Sequence, residues 1–128
     1  MEITEENFNY SNVKEWIKDY SHQDKVKFGI YCAELVIDIY ERNYDSKAPR
    51  FAIEAAKAWV ESPTEQNRKA ACAAASAAVS AAASAAAVCN DDSAAFEAAD
   101  AAFFAARAGG DNVKFKIISW FNNSDHKC

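Results

Sequence analysis

The apolar residues of this chain recur at steps of three and four, the spacing that gathers them on one face of a helix. From Ser11, a natural N-cap, to about Tyr20, the residues Val13, Trp16, Ile17 and Tyr20 fall at i, i+3, i+4 and i+7. From Asp24 to about Arg42, Phe28, Cys32, Leu35 and Ile39 form one stripe, which Tyr31, Val36 and Tyr40 widen. A polar loop, Asn43 to Ala48, precedes Pro49, whose missing N–H costs nothing in the first turn of a helix. That helix runs to about Glu61, with Phe51, Ile53, Ala56, Trp59 and Val60 apolar and Arg50 placed to pair with Glu54 one turn on. Ser62, Pro63 and Glu65 read as a capping box for the next helix. A further helix, Ala94 to Ala108, is dominated by Phe96, Phe103, Phe104 and Ala, and Gly109 and Gly110 end it. The last, Asp111 to Phe121, carries Val113, Ile117, Ile118 and Trp120.

Between these periodic segments lies a run of another kind. Ala70 to Val88 holds thirteen Ala, three Ser, two Val and one Cys, with no charge. Ala is the best helix former because it loses no side-chain entropy on folding. The run is therefore predicted helical, yet its surface is only methyl-deep, and an isolated Ala helix of this length is marginal in water. Cys72, Ser76, Ser80 and Ser84 recur every four residues as a weakly polar stripe, and all three Trp and all eight Phe lie outside the run. The expectation is a mostly buried rod whose small faces admit aromatic-bearing helices. A membrane span has the right length, but Leu, Ile and Phe, which carry insertion energy, are absent. An antifreeze helix would set out a Thr ladder, and the run has no Thr.

Length and composition narrow the picture. A chain of 128 residues suits one domain, residues 1–128, with enough length for a real core. Three Gly and two Pro leave few tight turns for an all-β fold. The expected fold is all-α, a compact multi-helix bundle around a central Ala-rich helix. The net charge of −5 opposes a nucleic-acid partner, whose footprint would be a basic face. Cys32, Cys72, Cys89 and Cys128 show no metal-knuckle or CxxC spacing, and Cys32 and Cys72 read as small buried thiols. Met1 is followed by acidic residues rather than an apolar stretch, which predicts no signal peptide and a cytoplasmic setting.

Candidate chemistry is sparse. His22 sits in a loop and His126 in the polar tail, neither near a Cys or carboxylate at helical spacing, so no metal and no cofactor are expected. No Gly-rich phosphate loop occurs. Glu34 and Asp38 lie four apart on one helix face, where a solvated surface is the simpler reading. Asp91, Asp92, Glu97 and Asp100 cluster about a helix N-terminus. They complement the helix dipole, and as a rim of carboxylates they would also dock a basic partner.

The stretch Cys32 to Trp59, followed by the Ala-rich run, resembles the alanine-rich immunity protein family of bacterial polymorphic-toxin loci, which has relatives in phage genomes. The match lies in Pro49, Arg50, Ala52, Ile53, Glu54, Ala55, Ala56, Lys57 and Trp59, and it extends over roughly residues 30–120. Where family members carry aromatic or His residues between Ala pairs of the rod, this chain has Ser76, Ser80 and Ser84. The resemblance implies an all-α fold and a non-enzymatic role, neutralising a toxin by binding it.

The functional expectation is a cytoplasmic protein that neutralises a toxin or defence effector by direct binding, with Asp91, Asp92, Glu97 and Asp100 in the contact surface. The alternative is a phage anti-defence protein that inhibits a host immune system or captures a small nucleotide signal between its helices. An Arg- or Lys-lined pocket with an aromatic platform would mark the second reading. Neither reading decides between a monomer and a homo-oligomer.

Overall fold

The computed structural model describes residues 3–43, 45, 47–74, 88 and 94–123. These form a bundle of six helices with no strand among the described residues: α1 (Tyr10–Ile17), α2 (His22–Asn43), α3 (Ala48–Glu61), α4 (Glu65–Ala74), α5 (Ala94–Gly109) and α6 (Asp111–Asn122). The protein is all-α, as the periodicity predicts.

Helix boundaries follow local hydrogen-bond chemistry. α1 begins one residue before Ser11, because the Asn9 side chain accepts the Asn12 amide N–H at 2.9 Å. Ser21 caps α2 in the same way, its hydroxyl oxygen accepting the Asp24 N–H at 3.1 Å, so His22 is helical rather than in a loop. The cap of α4 is Thr64, whose Oγ1 accepts the Asn67 N–H at 3.1 Å, and not Ser62. Asn67 then reaches back and donates to the Ser62 and Ala58 carbonyls at 2.8 and 3.3 Å, closing the α3–α4 corner. At the α5–α6 corner Gly110 takes a φ of +74°, a backbone conformation open to glycine. The preceding Gly109 has no room for a side chain, since a Cβ there would overlap Val113.

Two cores share one wall, and that wall is α2. Phe28, Cys32 and Val36, spaced by four, face a core built with α1, α5 and α6. Val26, Ile30, Ala33 and Ile37 face the opposite way, into a core with Ala52, Ile53, Ala56 and Trp59 of α3, Ala71 of α4, and Val88. A helix apolar on both sides must be buried on both sides. Among the described residues, the most extensive helix–helix contact joins α2 to α5. α5 meets the first core with Ala98, Ala99, Ala101, Ala102 and Ala105, all buried. Its small side chains let the backbones come close, and the bulk comes from the neighbours.

That bulk is largely aromatic. Phe28 of α2 lies 4.8 Å from Trp120 and 4.9 Å from Phe121, and Trp16 of α1 meets Phe121 edge-on at 5.6 Å. Such ring pairs add about 0.5–1.5 kcal/mol each beyond the area they bury. The N-terminal segment is strapped across this end. Ile3 and Phe8 are buried, Phe8 stacks on Phe103 at 5.0 Å, and Asn122 holds Ile3 by both backbone groups. It accepts the Ile3 N–H at 3.0 Å and donates to the Ile3 carbonyl at 2.9 Å.

The Ala-rich helix placed in the core by the described residues is α5. Of the longer run from Ala70 to Val88, positions 75–87 lie outside the described residues. Its first residues form the end of α4, where Ala71 is buried while Ala70 and Ala73 are exposed, and Val88 is helical and buried. Trp59 is buried, as its spacing predicts, with the His22 ring against it at 4.6 Å. Phe51 lies on the outer side of α3, 65% exposed.

Trp59 fills the second core, so Trp59→Ala is expected to cost about 3–5 kcal/mol. Denaturant unfolding checks this, and a midpoint close to that of the wild type would contradict it.

Candidate functional site

The four acidic residues singled out from the sequence fall into two groups. Asp91 and Asp92 lie outside the described residues. Glu97 and Asp100 sit one turn apart on α5, half-buried rather than open on a rim. Tyr10, the first residue of α1, donates its hydroxyl hydrogen to the Asp100 carboxylate. Its ring packs near Phe103, at 5.9 Å. The local electrostatics are those of carboxylates short of solvent. Burial pushes Glu97 up from its ordinary value, and the neighbouring Asp100 charge adds to the rise. Burial also raises Asp100, against the pull of the Tyr10 hydrogen bond. Tyr10 is pushed up to about 12 by burial and by both carboxylates. A phenol in that range stays protonated at neutral pH, so it is a fixed donor and not a nucleophile. The Tyr10–Asp100 hydrogen bond ties α1 to α5.

A groove of about 480 Å³ opens beside the N-terminal strap. Ile3, Thr4 and Glu5 form one wall, and Phe115, Ile118 and Ser119 of α6 form the other. Phe115 is 64% exposed. The reason lies in helical spacing: Val113, Ile117 and Trp120 turn inward, and position 115 falls on the other side of α6. The groove is chiefly apolar and carries a carboxylate, and none of its lining residues is Arg or Lys. That lining does not support capture of a nucleotide.

Ion pairs fasten the seam between α2 and α3. Arg50 pairs with Glu41, donating from Nε at 3.0 Å and from Nη2 at 2.5 Å, instead of with Glu54. A two-pronged match to a carboxylate across the seam outcompetes a single-pronged neighbour on the same helix. The hydrogen bonds from Arg50 hold Glu41 below the ordinary carboxylate range. Lys57 takes Glu34 at 2.5 Å, while Asp38 stays exposed. The Glu34–Asp38 pair therefore forms no joint acid–base site.

The thiols diverge from their common reading. Cys32 is a buried free thiol, and burial pushes it well above the ordinary thiol value, which leaves it inert. Cys72 is half-buried and disulfide-bonded, with its partner outside the described residues. Arg68 reaches its sulfur, Nη1 to Sγ at 3.6 Å. Among the described residues no group of three or more His, Cys, Asp or Glu is placed to hold a metal ion, and no helix is long and apolar enough to cross a membrane.

Comparison with family models, with curated proteins and with solved structures found no match to the chain.

The half-buried carboxylates set a pH dependence. Both folded-state values lie above the unfolded ones, near 4. The native state then holds more protons than the unfolded chain, and stability falls as pH rises through that window. Glu97→Gln is expected to raise the melting temperature at pH 7, with the advantage closing toward about pH 4. An equal melting temperature at pH 7 would contradict the assignment.

Proposed function

We propose that the chain is a non-enzymatic binding protein that neutralises a toxin or defence effector by direct contact. The observation that carries this reading is Phe115, which stands 64% exposed on the lip of an apolar groove. Single exposed apolar residues are ordinary. A large aromatic beside an apolar trough is what interface anchors are made of, since a ring supplies contact area at little entropy cost. Phe51, 65% exposed, adds a second such side chain within the segment that resembles the immunity family. The contact is assigned to these aromatics ahead of Glu97 and Asp100, which are half-buried, Asp100 accepting from Tyr10. The acidic balance of the chain favours a basic partner through encounter rate more than through affinity. A cytoplasmic site of action belongs to the proposal.

The test uses affinity-tagged full-length chain in extracts of the source organism, followed by calorimetry with the purified partner. Phe115→Ser is expected to change stability by less than about 0.5 kcal/mol and to weaken binding by at least tenfold. A partner bound equally by wild type, Phe115→Ser and Phe51→Ser would contradict the aromatic contact. Turnover of a small molecule by the purified protein would contradict the binding role itself.

A further inference from the structure

We infer that the outer face of α3 pairs with the same face of a second copy of the chain, the two helices running antiparallel about a two-fold axis. Phe51, Ala55, Ala58 and Ser62 follow one another at steps of four, three and four, so they line up along one side of the helix. Phe51 is 65% exposed, Ala58 and the C-cap Ser62 are exposed, and Ala55 is half-buried. The other side of α3, through Ala52, Ile53 and Ala56, is sunk in the second core. α3 therefore carries a second apolar strip, a ring beside methyl groups, that the fold leaves uncovered.

That strip is complementary to itself. In an antiparallel pair centred between Glu54 and Ala55, Phe51 of each copy lies opposite Ala58 of the other. A ring over a methyl shelf is the knob-and-hole match that lets two helices approach. Charge agrees with shape. Lys47, Glu54 and Glu61 recur every seven residues, all exposed, along one edge of the strip. A two-fold axis lays that edge against itself. Lys47 then falls within about one residue's rise, ~1.5 Å along the axis, of Glu61 of the second copy, once at each end. The two Glu54 side chains meet at the centre as the like-charged approach, tempered by Arg50 and Lys57, which each Glu54 already faces on its own helix. A parallel pair would instead set Lys47 against Lys47 and Glu61 against Glu61, so the charges select the antiparallel arrangement. An isologous contact of this kind closes at two copies. α3 has 14 residues, which makes a contact about 21 Å long, and the interface belongs to the small, reversible class. The pairing is independent of the function proposed above, though both draw on Phe51, so an effector bound there displaces the second copy.

Sedimentation equilibrium of the purified full-length chain reads the pairing, from about 1 µM to 1 mM protein in about 0.15 M salt, which screens the net charge of −5 on each copy. The expected result is a reversible monomer–dimer equilibrium with no larger species. Phe51→Ser should weaken it at least about tenfold. Lys47→Glu and Glu61→Lys each set like charges together at both ends, and each should weaken it about fivefold, while the double variant returns to within about threefold of the wild type. Glu54→Gln removes the central repulsion and should tighten pairing about twofold. A chain that stays monomeric throughout that range overturns the inference. So does assembly beyond the dimer, an unchanged constant in Phe51→Ser, a double variant no tighter than the single ones, or weaker pairing in Glu54→Gln.

Discussion

The close approach of α2 and α5 is the contact on which the remaining structure depends. α2 is apolar on two opposite sides, and a helix of that kind has no solvated orientation open to it. α5 answers one side with methyl groups. Five buried Ala of α5 enter the core it shares with α2, where Phe28, Trp120 and Phe121 supply the volume. α1 and α6 then pack on α5, and α3 and α4 occupy the other side of α2. Small residues on one helix and large ones on its neighbours give both intimate packing and volume.

Much of this was legible in the chain. The stripe through Phe28 and Cys32, the inward side of Trp59 and the glycine stop after α5 all appear in the structure, because each rests on helical spacing or on a local backbone requirement. The second apolar side of α2 was harder to see. Val26, Ile30, Ala33 and Ile37 look like a widening of the first stripe until a second core claims them. Which Ala-rich segment lies against α2 is likewise a tertiary matter, since alanine periodicity carries no directional signal.

The surface was less legible than the core. The sequence marks carboxylates, but burial and a tyrosine hydroxyl decide what Glu97 and Asp100 do, and Tyr10 lies ninety positions away from its partner Asp100. Phe115 did carry a signal, since it falls off the face defined by Val113, Ile117 and Trp120. Phe51 falls off the face of Ala52, Ala56 and Trp59 in the same way.

The central claim is that the alanines of α5 set the distance to α2, and Ala102→Leu tests it most directly. Ala102 is fully buried in the first core. A leucine there should overpack the contact and cost about 1–3 kcal/mol, measured as a lower urea midpoint with an unchanged denaturant slope. A midpoint equal to or above that of the wild type would mean that α5 has room to spare, and the close approach would not be the constraint described here.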